Sequence, residues 1–362
     1  MPVGEAFNPG SVSHSCVKVP VMRAVVKSKP EPGVEFAEVP KPKPATDEVL
    51  IEVKAAAICG SDLGIYDYSP AYSKMRLPVV MGHEFSGRVA EIGPQVKGYA
   101  VCDRVLSESV KSCGVCAYCH SGHENLCDAS TLFGIHTDGG MAEYVTVPYK
   151  LLHRLPEELS FEEGALIEPL SNALHFVKDC TPIRLGDFVV VQGCGPIGIF
   201  SAQLFRLAGA QVMITGVNVD MERFKIAERM GLETFNVEKE DLAKLVLERT
   251  GGRGADIAFV ATGAPSAVAQ AIQIVKKRGQ VTVIGIFGRS VEVPMTQVVR
   301  REITLSGAYD AKPENFDQSL RLASSGTIKV RELITHRLSL EKAGEAFETA
   351  KSRVGCKVEF IP

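Results

Sequence analysis

A glycine-rich turn between a β-branched run and a helical stretch constrains the fold of this chain more than any other feature. The run DFVVVQ (187–192) is followed by GCGPIG (193–198) and then by an apolar stretch of helical periodicity. Further β-branched runs, down to EITLSG (302–307), alternate with helical stretches such as residues 264–279. Strands that alternate with helices in this way form parallel sheets. We therefore predict an α/β fold, with a doubly wound parallel sheet of about six strands in the second half of the chain.

The three glycines of this turn, Gly193, Gly195 and Gly198, have the spacing G-x-G-x-x-G. The first permits a tight turn, the second lets the backbone approach a pyrophosphate at the helix N-terminus, and the third lets helix and strand pack closely. Glycines also mark ordinary turns, but the position between a strand and a helix favours dinucleotide binding. We predict NAD or NADP as the cofactor.

The residue that closes the second strand bears on the choice between NAD and NADP. A carboxylate in that position usually bonds the ribose hydroxyls, but this strand reads VMITG and ends at Gly216. Asp220 lies further on in the loop, with Arg223 and Lys225 close behind it. A missing carboxylate beside a cation favours the 2′-phosphate of NADP, whereas an Asp220 that folds back would favour NAD. The cofactor is therefore predicted as NAD(P).

Four cysteines stand close together in CGVCAYCHSGHENLC, residues 113–127. They are Cys113, Cys116, Cys119 and Cys127. Their spacing lets four thiolates converge on one zinc ion, whereas residues so close in a loop pair poorly as two disulfides. Four thiolates fill a tetrahedral shell and leave no position for a substrate, so we predict a structural site. His120 and His123 are alternative ligands, although solvated loop histidines are the simpler interpretation.

A second group of candidate ligands comes from three separate motifs. AAAICGSD contains Cys59, VVMGHEFSG contains His83 and Glu84, and GALIEPLSN contains Glu168. Taken singly, they read as a buried thiol, a core histidine and surface or capping carboxylates. Together they form a ligand set that suits zinc and keeps a position open for water or a substrate oxygen. We predict two zinc ions per subunit, one structural and one catalytic.

Composition limits the class of partner. The net charge of −3 with 23% charged residues offers no basic patch for nucleic acid. No apolar run approaches the ~20 residues that a membrane span needs, and the N-terminus lacks the pattern of a secretory signal. We expect a cytoplasmic protein that acts on a small-molecule alcohol, with neither nucleic acid nor membrane as partner. Residues 1–21 precede the first regular alternation and are predicted as an N-terminal extension.

Several short motifs, in this order, carry a family resemblance that extends over the chain from Met22. They are ICGSD, GHE, DRV, the cysteine segment, EPL and GCGPIG. The chain resembles the zinc-dependent medium-chain dehydrogenases of the alcohol dehydrogenase superfamily. LSFEEGALIEPLS (159–171) and THRLSLEKAGEAFETAKS (335–352) are most similar to sorbitol (polyol) dehydrogenases, with L-threonine 3-dehydrogenases next.

The resemblance implies a two-domain subunit in a homotetramer. Residues 22–172 and 311–362 would form a GroES-like, β-rich catalytic domain, with a structural zinc lobe at 107–130. Residues 173–310 would form a Rossmann NAD(P)-binding domain, and the active site would lie in the cleft between the two.

The resemblance also implies roles for individual residues. It puts the catalytic zinc on Cys59, His83 and Glu84, with Glu168 either a further ligand or a partner of the zinc water. Ser61 matches the hydroxyl residue that accepts the proton of the alcohol, while a hydride passes from the substrate to C4 of the nicotinamide. The positions that match cofactor contacts are Pro196, Ile197, Gly216, Arg223, Ile284, Gly285, Ile286, Ala308, Tyr309 and Asp310.

Three departures from the family pattern stand out. Gly64 occupies the position of the histidine that commonly ends the proton relay, so the proton must leave through water, ribose hydroxyls or another group. Cys102 replaces the usual glycine of GDRV, which indicates a tolerated turn substitution or strain. YDAK (309–312) stands where sorbitol dehydrogenases carry an arginine and a tyrosine near the substrate.

The predicted function is interconversion of a secondary alcohol, a polyol or sugar-like diol, and its ketone by a zinc-dependent NAD(P) oxidoreductase. The alternatives are an L-threonine 3-dehydrogenase and a general secondary alcohol dehydrogenase. A zinc-ribbon protein that senses a nucleotide is disfavoured because there is no basic patch. A zinc-free quinone reductase of the same fold is disfavoured because Cys59 and the cysteine segment are both present.

Overall fold

The computed structural model describes residues 20–362, and its first half is built mainly from β-strands. The strands are β1 (Val21–Lys27), β2 (Glu35–Pro40), β3 (Glu48–Ala57), β4 (Val79–Val80), β5 (Glu84–Ile92), β6 (Arg104–Ser107), β7 (Val110–Lys111), β8 (Thr131–Leu132), β9 (Tyr144–Pro148) and β10 (Leu152–Arg154). The helices are α1 (Gly60–Tyr66), α2 (Ala117–His120), α3 (Phe161–Ala165) and α4 (Ile167–Leu174).

In the second half, strands and helices alternate. The strands are β11 (Phe188–Gln192), β12 (Gln211–Gly216), β13 (Glu233–Asn236), β14 (Ala255–Val260), β15 (Val275–Val283), β16 (Thr304–Gly307), β17 (Ile334–Leu338) and β18 (Lys357–Phe360). The helices are α5 (Pro196–Leu207), α6 (Met221–Arg229), α7 (Leu242–Arg249), α8 (Pro265–Ile274), α9 (Met295–Arg300), α10 (Pro313–Ser324) and α11 (Ala343–Ser352). Within the described range, no helix is both long and apolar enough to cross a membrane.

The β-rich half contains a seven-stranded sheet that the two C-terminal strands, β17 and β18, complete. Its order is β10-β6-β5-β3-β18-β17, and β9 also pairs with β3. The C-terminal strand β18 runs antiparallel to β3, with Glu359 opposite Ala57. On its other side β3 pairs with β5, where Ala57 lies opposite Glu84. The last residues of the chain therefore lie beside the motif that contains His83 and Glu84.

The second large sheet has six parallel strands in the order β13-β12-β11-β14-β15-β16. This confirms the predicted doubly wound parallel sheet. The central strand β11 is buried along its whole length, as its continuous apolar run requires. The strand order reverses at β11, so a crevice opens at the carboxyl ends of β11 and its neighbours.

The helix predicted over residues 264–279 is shorter in the structure. Helix α8 ends at Ile274, and the chain continues directly into β15 from Val275. Val275 pairs with Ala255 of β14 and is fully buried. Backbone pairing and burial in the sheet therefore outweigh the helical propensity of the Lys276–Arg278 segment.

Helix α4 lies between the two large sheets. One apolar core joins Ala57 of β3, Leu170 of α4, Val191 of β11 and Phe200 of α5. Packing on both sides leaves α4 little freedom to move, because protein interiors are close-packed. Glu168, in the first turn of α4, is therefore held at the junction of the sheets.

Cys102 lies in an exposed turn before β6. Its φ angle of 75° falls in the left-handed region, which suits glycine and strains a residue with a Cβ. The backbone conformation therefore supports strain at Cys102 and not a tolerated turn substitution.

Candidate active site and metal centres

The four cysteines between β7 and β8 bring their sulfur atoms together. All four Sγ atoms lie within 4.8 Å of one another. The Cys116 and Cys119 sulfurs are 3.5 Å apart, and those of Cys113 and Cys119 are 4.0 Å apart. A tetrahedral zinc with Zn–S bonds of ~2.3 Å would set its sulfurs about 3.8 Å apart. The spacing therefore fits a four-thiolate zinc site.

Backbone amides of this loop favour the thiolate form of two of the four cysteines, whereas burial raises the pKa of Cys119 to about 11. The backbone N–H groups of Cys119 and Asp128 lower the pKa of Cys116 to about 6. The backbone N–H of Val115 lowers the pKa of Cys113 in the same way. His120 is exposed, and the exposed His123 ring bonds the Ser121 carbonyl at 2.9 Å, as solvated loop histidines do.

A second donor group lies where α1 meets β5. Cys59 is the N-cap residue of α1, His83 ends the turn before β5, and Glu84 begins that strand. One ligand atom from each of these three residues lies within 4.8 Å of the other two. A thiolate, an imidazole and a carboxylate are three protein ligands, so a fourth zinc position stays open.

Asp62 is a buried carboxylate close to the histidine of this group. Its Oδ1 lies 3.8 Å from His83 Nδ1, while His83 Nε2 lies 3.3 Å from Ser61 Oγ. Burial lowers the pKa of His83, but the charges of Asp62 and Cys59 outweigh it, and the pKa stands well above its usual value. The pocket is therefore rich in negative charge and attracts a cation.

Asp62 was missing from the residues predicted for the site. Its Oδ2 accepts a hydrogen bond from the backbone N–H of Cys59 at 2.9 Å, as an acidic residue three positions after an N-cap does. Metal-binding histidines usually bond a carboxylate through the other ring nitrogen. In the sequence, the acidic residue of the CGSD motif could have indicated that Asp62 belongs to the site.

Glu84 forms a buried ion pair that the motifs did not indicate. Its Oε2 accepts a hydrogen bond from the ammonium of Lys357, which also donates to the Ile58 carbonyl at 3.1 Å. Both side chains are almost fully buried. Glu84 Oε1 has no hydrogen-bond partner among the described residues. One oxygen is thus paired with Lys357, and the other remains to bind a cation.

Glu168 is the second predicted carboxylate. Its Oε1 accepts from Asn172 Nδ2 at 3.0 Å, and its buried Oε2 has no partner in the described chain. Burial raises the pKa of Glu168 to about 7, and the charges of Glu84 and Asp310 add to that rise. Glu84 belongs to the tight group with Cys59 and His83. Glu168 is outside that group but close enough for its charge to raise the pKa of His83.

The glycines of GCGPIG lie where a dinucleotide would need them. Gly193 has a φ of 115°, and a Cβ on Gly198 would lie 1.9 Å from the Gly193 carbonyl oxygen. Gly195 is the N-cap residue of α5, and apart from its two chain neighbours no atom of the described residues lies within 4 Å of where its Cβ would be. The N-terminus of α5 is therefore open to a pyrophosphate.

The other predicted cofactor residues lie at the carboxyl ends of the parallel strands. They are Pro196, Ile197, Gly216, Ile284, Gly285, Ile286, Ala308, Tyr309 and Asp310. A cleft of about 520 Å³ is lined by the ends of β15 and β16 and by Leu126 of the cysteine segment. The structure therefore brings these residues to one edge of the sheet.

Charged groups surround Gly216. A Cβ on Gly216 would lie 3.0 Å from Asp220 Oδ2, so Asp220 folds back to the strand end. Asp220 is buried and accepts from the Val217 backbone N–H at 3.1 Å. Its Oδ1 lies 3.6 Å from a guanidinium nitrogen of Arg223 and 3.7 Å from one of Arg353. A carboxylate and two cations therefore meet at this end of the crevice.

Asp310 connects the cofactor edge with the metal-binding group. Its Oδ1 lies 3.4 Å from Ser109 Oγ, and burial raises the pKa of Asp310 to about 6. The neighbouring Tyr309 carbonyl accepts from Asn125 Nδ2 of the cysteine segment at 2.7 Å. Asp310, predicted only as a cofactor contact, thus lies close enough to Glu168 for its charge to raise the pKa of that carboxyl.

A closed four-sulfur site, an open Cys–His–Glu site and a dinucleotide crevice together define a zinc- and nicotinamide-dependent dehydrogenase. Residues 45–157 match the model of the alcohol dehydrogenase GroES-like domain, and residues 196–325 match that of the zinc-binding dehydrogenases. The chain belongs to the zinc-binding alcohol dehydrogenase family. The expected family, fold class and enzyme class, with zinc and NAD(P), are confirmed.

Relatives match over nearly the whole chain. A sorbitol dehydrogenase of Halalkalibacterium halodurans is 36% identical over 94% of this chain and 99% of its own length. An L-threonine 3-dehydrogenase of Bacillus licheniformis is also 36% identical, with the same coverage of both chains. A zinc-binding dehydrogenase of Sinorhizobium meliloti, solved with NADP, superposes with a TM-score of 0.87 at 31% identity, covering 95% of this chain and 100% of its own.

Proposed function

We propose that this chain interconverts a secondary alcohol of the polyol or sugar-like diol type and its ketone, with NAD(P) as hydride carrier. The observation that carries the proposal is the open group of Cys59, His83 and Glu84 with two more carboxylates, Glu168 and Asp310, beside it. Carboxylate oxygens accept hydrogen bonds from a neighbouring hydroxyl, which a simple primary alcohol lacks.

Cys59, His83 and Glu84 would hold the catalytic zinc, and bound zinc and NAD(P) supply a Lewis acid and a hydride acceptor. Ser61 Oγ, 3.3 Å from His83 Nε2, is placed to accept the proton of the reacting hydroxyl. Glu168 Oε2 is free to bond a second hydroxyl. His83, Glu84 and Glu168 are buried, and burial strengthens their electrostatic interactions with a substrate.

A substrate panel tests this proposal. With either cofactor, kcat/KM for the best polyol or vicinal diol should exceed that for ethanol and benzyl alcohol by at least about tenfold, because the additional hydroxyl bonds the pocket carboxylates. Nicotinamide absorbance gives the rates. A higher kcat/KM for ethanol or benzyl alcohol than for every polyol would make this a general alcohol dehydrogenase.

L-Threonine is the second candidate substrate. The same carboxylates, Glu168 and Asp310, are suitable acceptors for its ammonium group, and the Bacillus licheniformis relative carries this activity in its name. The panel therefore includes L-threonine. A clear preference for it over all polyols would assign the chain to that alternative.

We propose NADP as the preferred cofactor although Asp220 folds back to the strand end, because the Asp220 carboxylate lies between Arg223 and Arg353, whose two positive charges exceed its single negative charge and leave one for the 2′-phosphate. Arg353→Ala should weaken NADP binding about tenfold or more and NAD binding little, since charge-assisted bonds contribute roughly 1.5–3 kcal/mol. Calorimetric Kd values for both cofactors measure this effect. Arg223→Ala should behave similarly but also lower stability, because its Nε donates to the Gly355 carbonyl at 2.9 Å.

A preference for NAD would assign the ribose contact to Asp220. If the wild type strongly prefers NAD and both arginine variants weaken the two cofactors equally, Asp220 bonds the ribose hydroxyls and the NADP proposal is wrong. Gly216→Asp is a poorer test, because its Cβ would lie 2.9 Å from Phe224 Cε1.

We infer that residues 22–172 and 311–362 form the GroES-like domain with its zinc lobe at 107–130, and that residues 173–310 form the Rossmann domain. The pairing of β18 with β3 and the confinement of the parallel sheet to residues 188–307 support this division. The described cysteines are unpaired, which supports a reducing, cytoplasmic location. We propose assembly into a homotetramer, and the edge strand β16, on which Leu305 is exposed, supports the pairing of two copies within it.

A further inference from the structure

A thiol, an imidazole and a carboxylate meet just after α4. Residues His175–Asp179 form a π-helical turn, and Cys180 follows it. The backbone hydrogen bonds of a π-helix run to the fifth residue along the chain, one further than in an α-helix. The residues four and five positions after His175 therefore both lie beside it, and these are Asp179 and Cys180.

Hydrogen bonds connect the three side chains in series. Cys180 Sγ lies 3.4 Å from His175 Nε2, and His175 Nδ1 lies 2.9 Å from Asp179 Oδ2. Asn315 Nδ2 donates to the same carboxylate oxygen at 3.1 Å. A carboxylate only accepts hydrogen bonds, so it fixes the proton of the neutral imidazole on Nδ1 and leaves Nε2 to accept the thiol proton. His175 is therefore placed to act as a base for Cys180.

The charge states of these groups fit that role. Burial raises the pKa of Asp179, but hydrogen bonds from His175 and Asn315 outweigh it, and the pKa lies below its usual value. Burial and the charge of Asp179 raise the pKa of Cys180, while Lys312 acts in the opposite direction. Near neutral pH Asp179 is thus a carboxylate and Cys180 a thiol. A thiol is a weak nucleophile until a base takes its proton, and His175 is that base.

The three side chains face a cleft that can hold a small molecule. His175, Asp179 and Cys180 line the cleft of about 520 Å³ at the ends of β15 and β16, together with the predicted cofactor residues Ile284–Ile286. Asn125 also lines this cleft, is only 5% exposed, and has no hydrogen-bond partner for its Oδ1 among the described residues. The cleft therefore offers an unused acceptor to the O–H group of a small ligand.

We propose that a peroxide oxidises Cys180 to a sulfenic acid and that this modification weakens NAD(P) binding in the adjoining crevice. As His175 Nε2 takes the thiol proton, the sulfur attacks one oxygen of hydrogen peroxide and the O–O bond breaks. The departing hydroxide takes the proton from His175 and leaves as water. Sulfur loses two electrons and the peroxide gains them, so one thiol and one hydrogen peroxide give one sulfenic acid and one water. The added oxygen enlarges the Cys180 side chain within the cleft that Ile284–Ile286 share.

Chemical labelling of the zinc-loaded enzyme is the first test. The protein is treated with hydrogen peroxide and dimedone, which traps sulfenic acids, and the label is located by mass spectrometry. Cys180 should be labelled at least about tenfold faster than Cys102, because only Cys180 has a base beside it. Cys102 is the more exposed of the two thiols, so accessibility alone would favour the opposite order.

Two variants test the role of the imidazole and the carboxylate. His175→Gln removes the base and Asp179→Asn removes the charge that orients it, so each should slow labelling of Cys180 about tenfold or more. Asp317→Asn is the matched control, because Asp317 bonds a different histidine, His153, and its loss should leave the labelling rate unchanged. Tm and zinc content show whether each variant keeps its fold.

The effect on the cofactor is measured by calorimetry before and after peroxide treatment. Oxidation should raise the Kd of the wild type for NAD and NADP at least about fivefold, because an extra atom in a fitted site costs binding energy. Dithiothreitol should restore the original Kd, since sulfenic acids are reducible by thiols. Cys180→Ser, treated in the same way, is the control for oxidation of the metal-binding cysteines, and its Kd should change little.

The outcomes separate this inference from the proposed function, since it does not depend on which alcohol is the substrate. Equal labelling of Cys180 and Cys102, or wild-type labelling in a folded Asp179→Asn, would overturn the assignment of a base-assisted thiol. An equal rise of Kd in oxidised wild type and oxidised Cys180→Ser would overturn the effect on the cofactor. A wild-type enzyme that oxidises none of the alcohols in the panel would instead contradict the proposed function.

Discussion

Replacing Cys59 by alanine should reduce kcat/KM at least about 1,000-fold while the fold stays intact. The variant removes the thiolate of the open donor group, whose remaining members are His83 and Glu84. The closed four-cysteine site is untouched. Metal analysis should therefore show zinc falling from two ions to one per subunit, and Tm should change by only a few degrees. Steady-state rates, elemental analysis and thermal melts measure the three quantities.

Two other cysteine variants test whether the loss of activity is specific to the open donor group that contains Cys59. Cys116→Ser alters the closed site, so it should loosen the lobe and lower Tm, with zinc again reduced to one ion. Cys102→Gly removes an exposed thiol from a left-handed position and should keep both zinc ions and full activity. One zinc per subunit in freshly prepared, unchelated wild-type protein would contradict the assignment of two separate sites.

Replacing Glu359 by glutamine should stabilise the protein by a few kcal/mol at pH 9 and much less at pH 6. Glu359 lies on β18, fully buried, and neither carboxyl oxygen has a partner in the described part of the chain. Burial raises its pKa to about 8, and the charge of Glu162 adds to this, while Arg337 and Lys357 act in the opposite direction. The folded protein therefore keeps this carboxyl protonated at neutral pH.

The sign of the pH dependence follows from the two pKa values. Between the ordinary pKa of 4.5 and about 8, the folded state holds a proton that the unfolded state has released. Folding stability therefore falls as pH rises through that window. Glutamine stays neutral throughout, so the variant should lose less stability than wild type.

Urea unfolding at pH 6 and pH 9, at constant zinc, measures the difference. The control is Glu314→Gln, which changes an exposed glutamate and should follow the wild type at both pH values. If wild type and Glu359→Gln lose equal stability between the two pH values, Glu359 is not held in the protonated form by folding.

Much of the site could be predicted from local spacing. The four sulfurs that we predict to bind zinc come from one 15-residue segment, and the predicted dinucleotide turn comes from six consecutive residues. Short chain segments have few ways to place such groups, so spacing alone indicates a metal loop or a phosphate-binding turn. Strand and helix periodicity likewise predicted the parallel sheet, since alternation along the chain reflects which faces are buried.

Other features depended on which distant segments pack together. Lys357 pairs with Glu84 across 273 residues, because β18 and β5 both lie beside β3. No spacing along the chain encodes that neighbourhood. The early end of α8 likewise follows from pairing between β15 and β14. Sheet order is a property of the whole fold, so contacts that depend on it appear only when the strands are assembled.

The surroundings of Gly216 and Gly64 show the same difference between what the sequence indicates and what the tertiary structure decides. In the sequence Asp220 follows the end of the strand at Gly216. In the fold its carboxylate lies beside Gly216, and Arg353, which is distant in the sequence, lies there too. The sequence shows only that position 64 lacks a side chain, whereas the structure shows that the ring of Tyr72 occupies the space beside it. Sequence by itself determined which chemical groups are available and the local turns that present them. Tertiary packing decided their partners, because burial and charge act between neighbours in space whatever their separation along the chain.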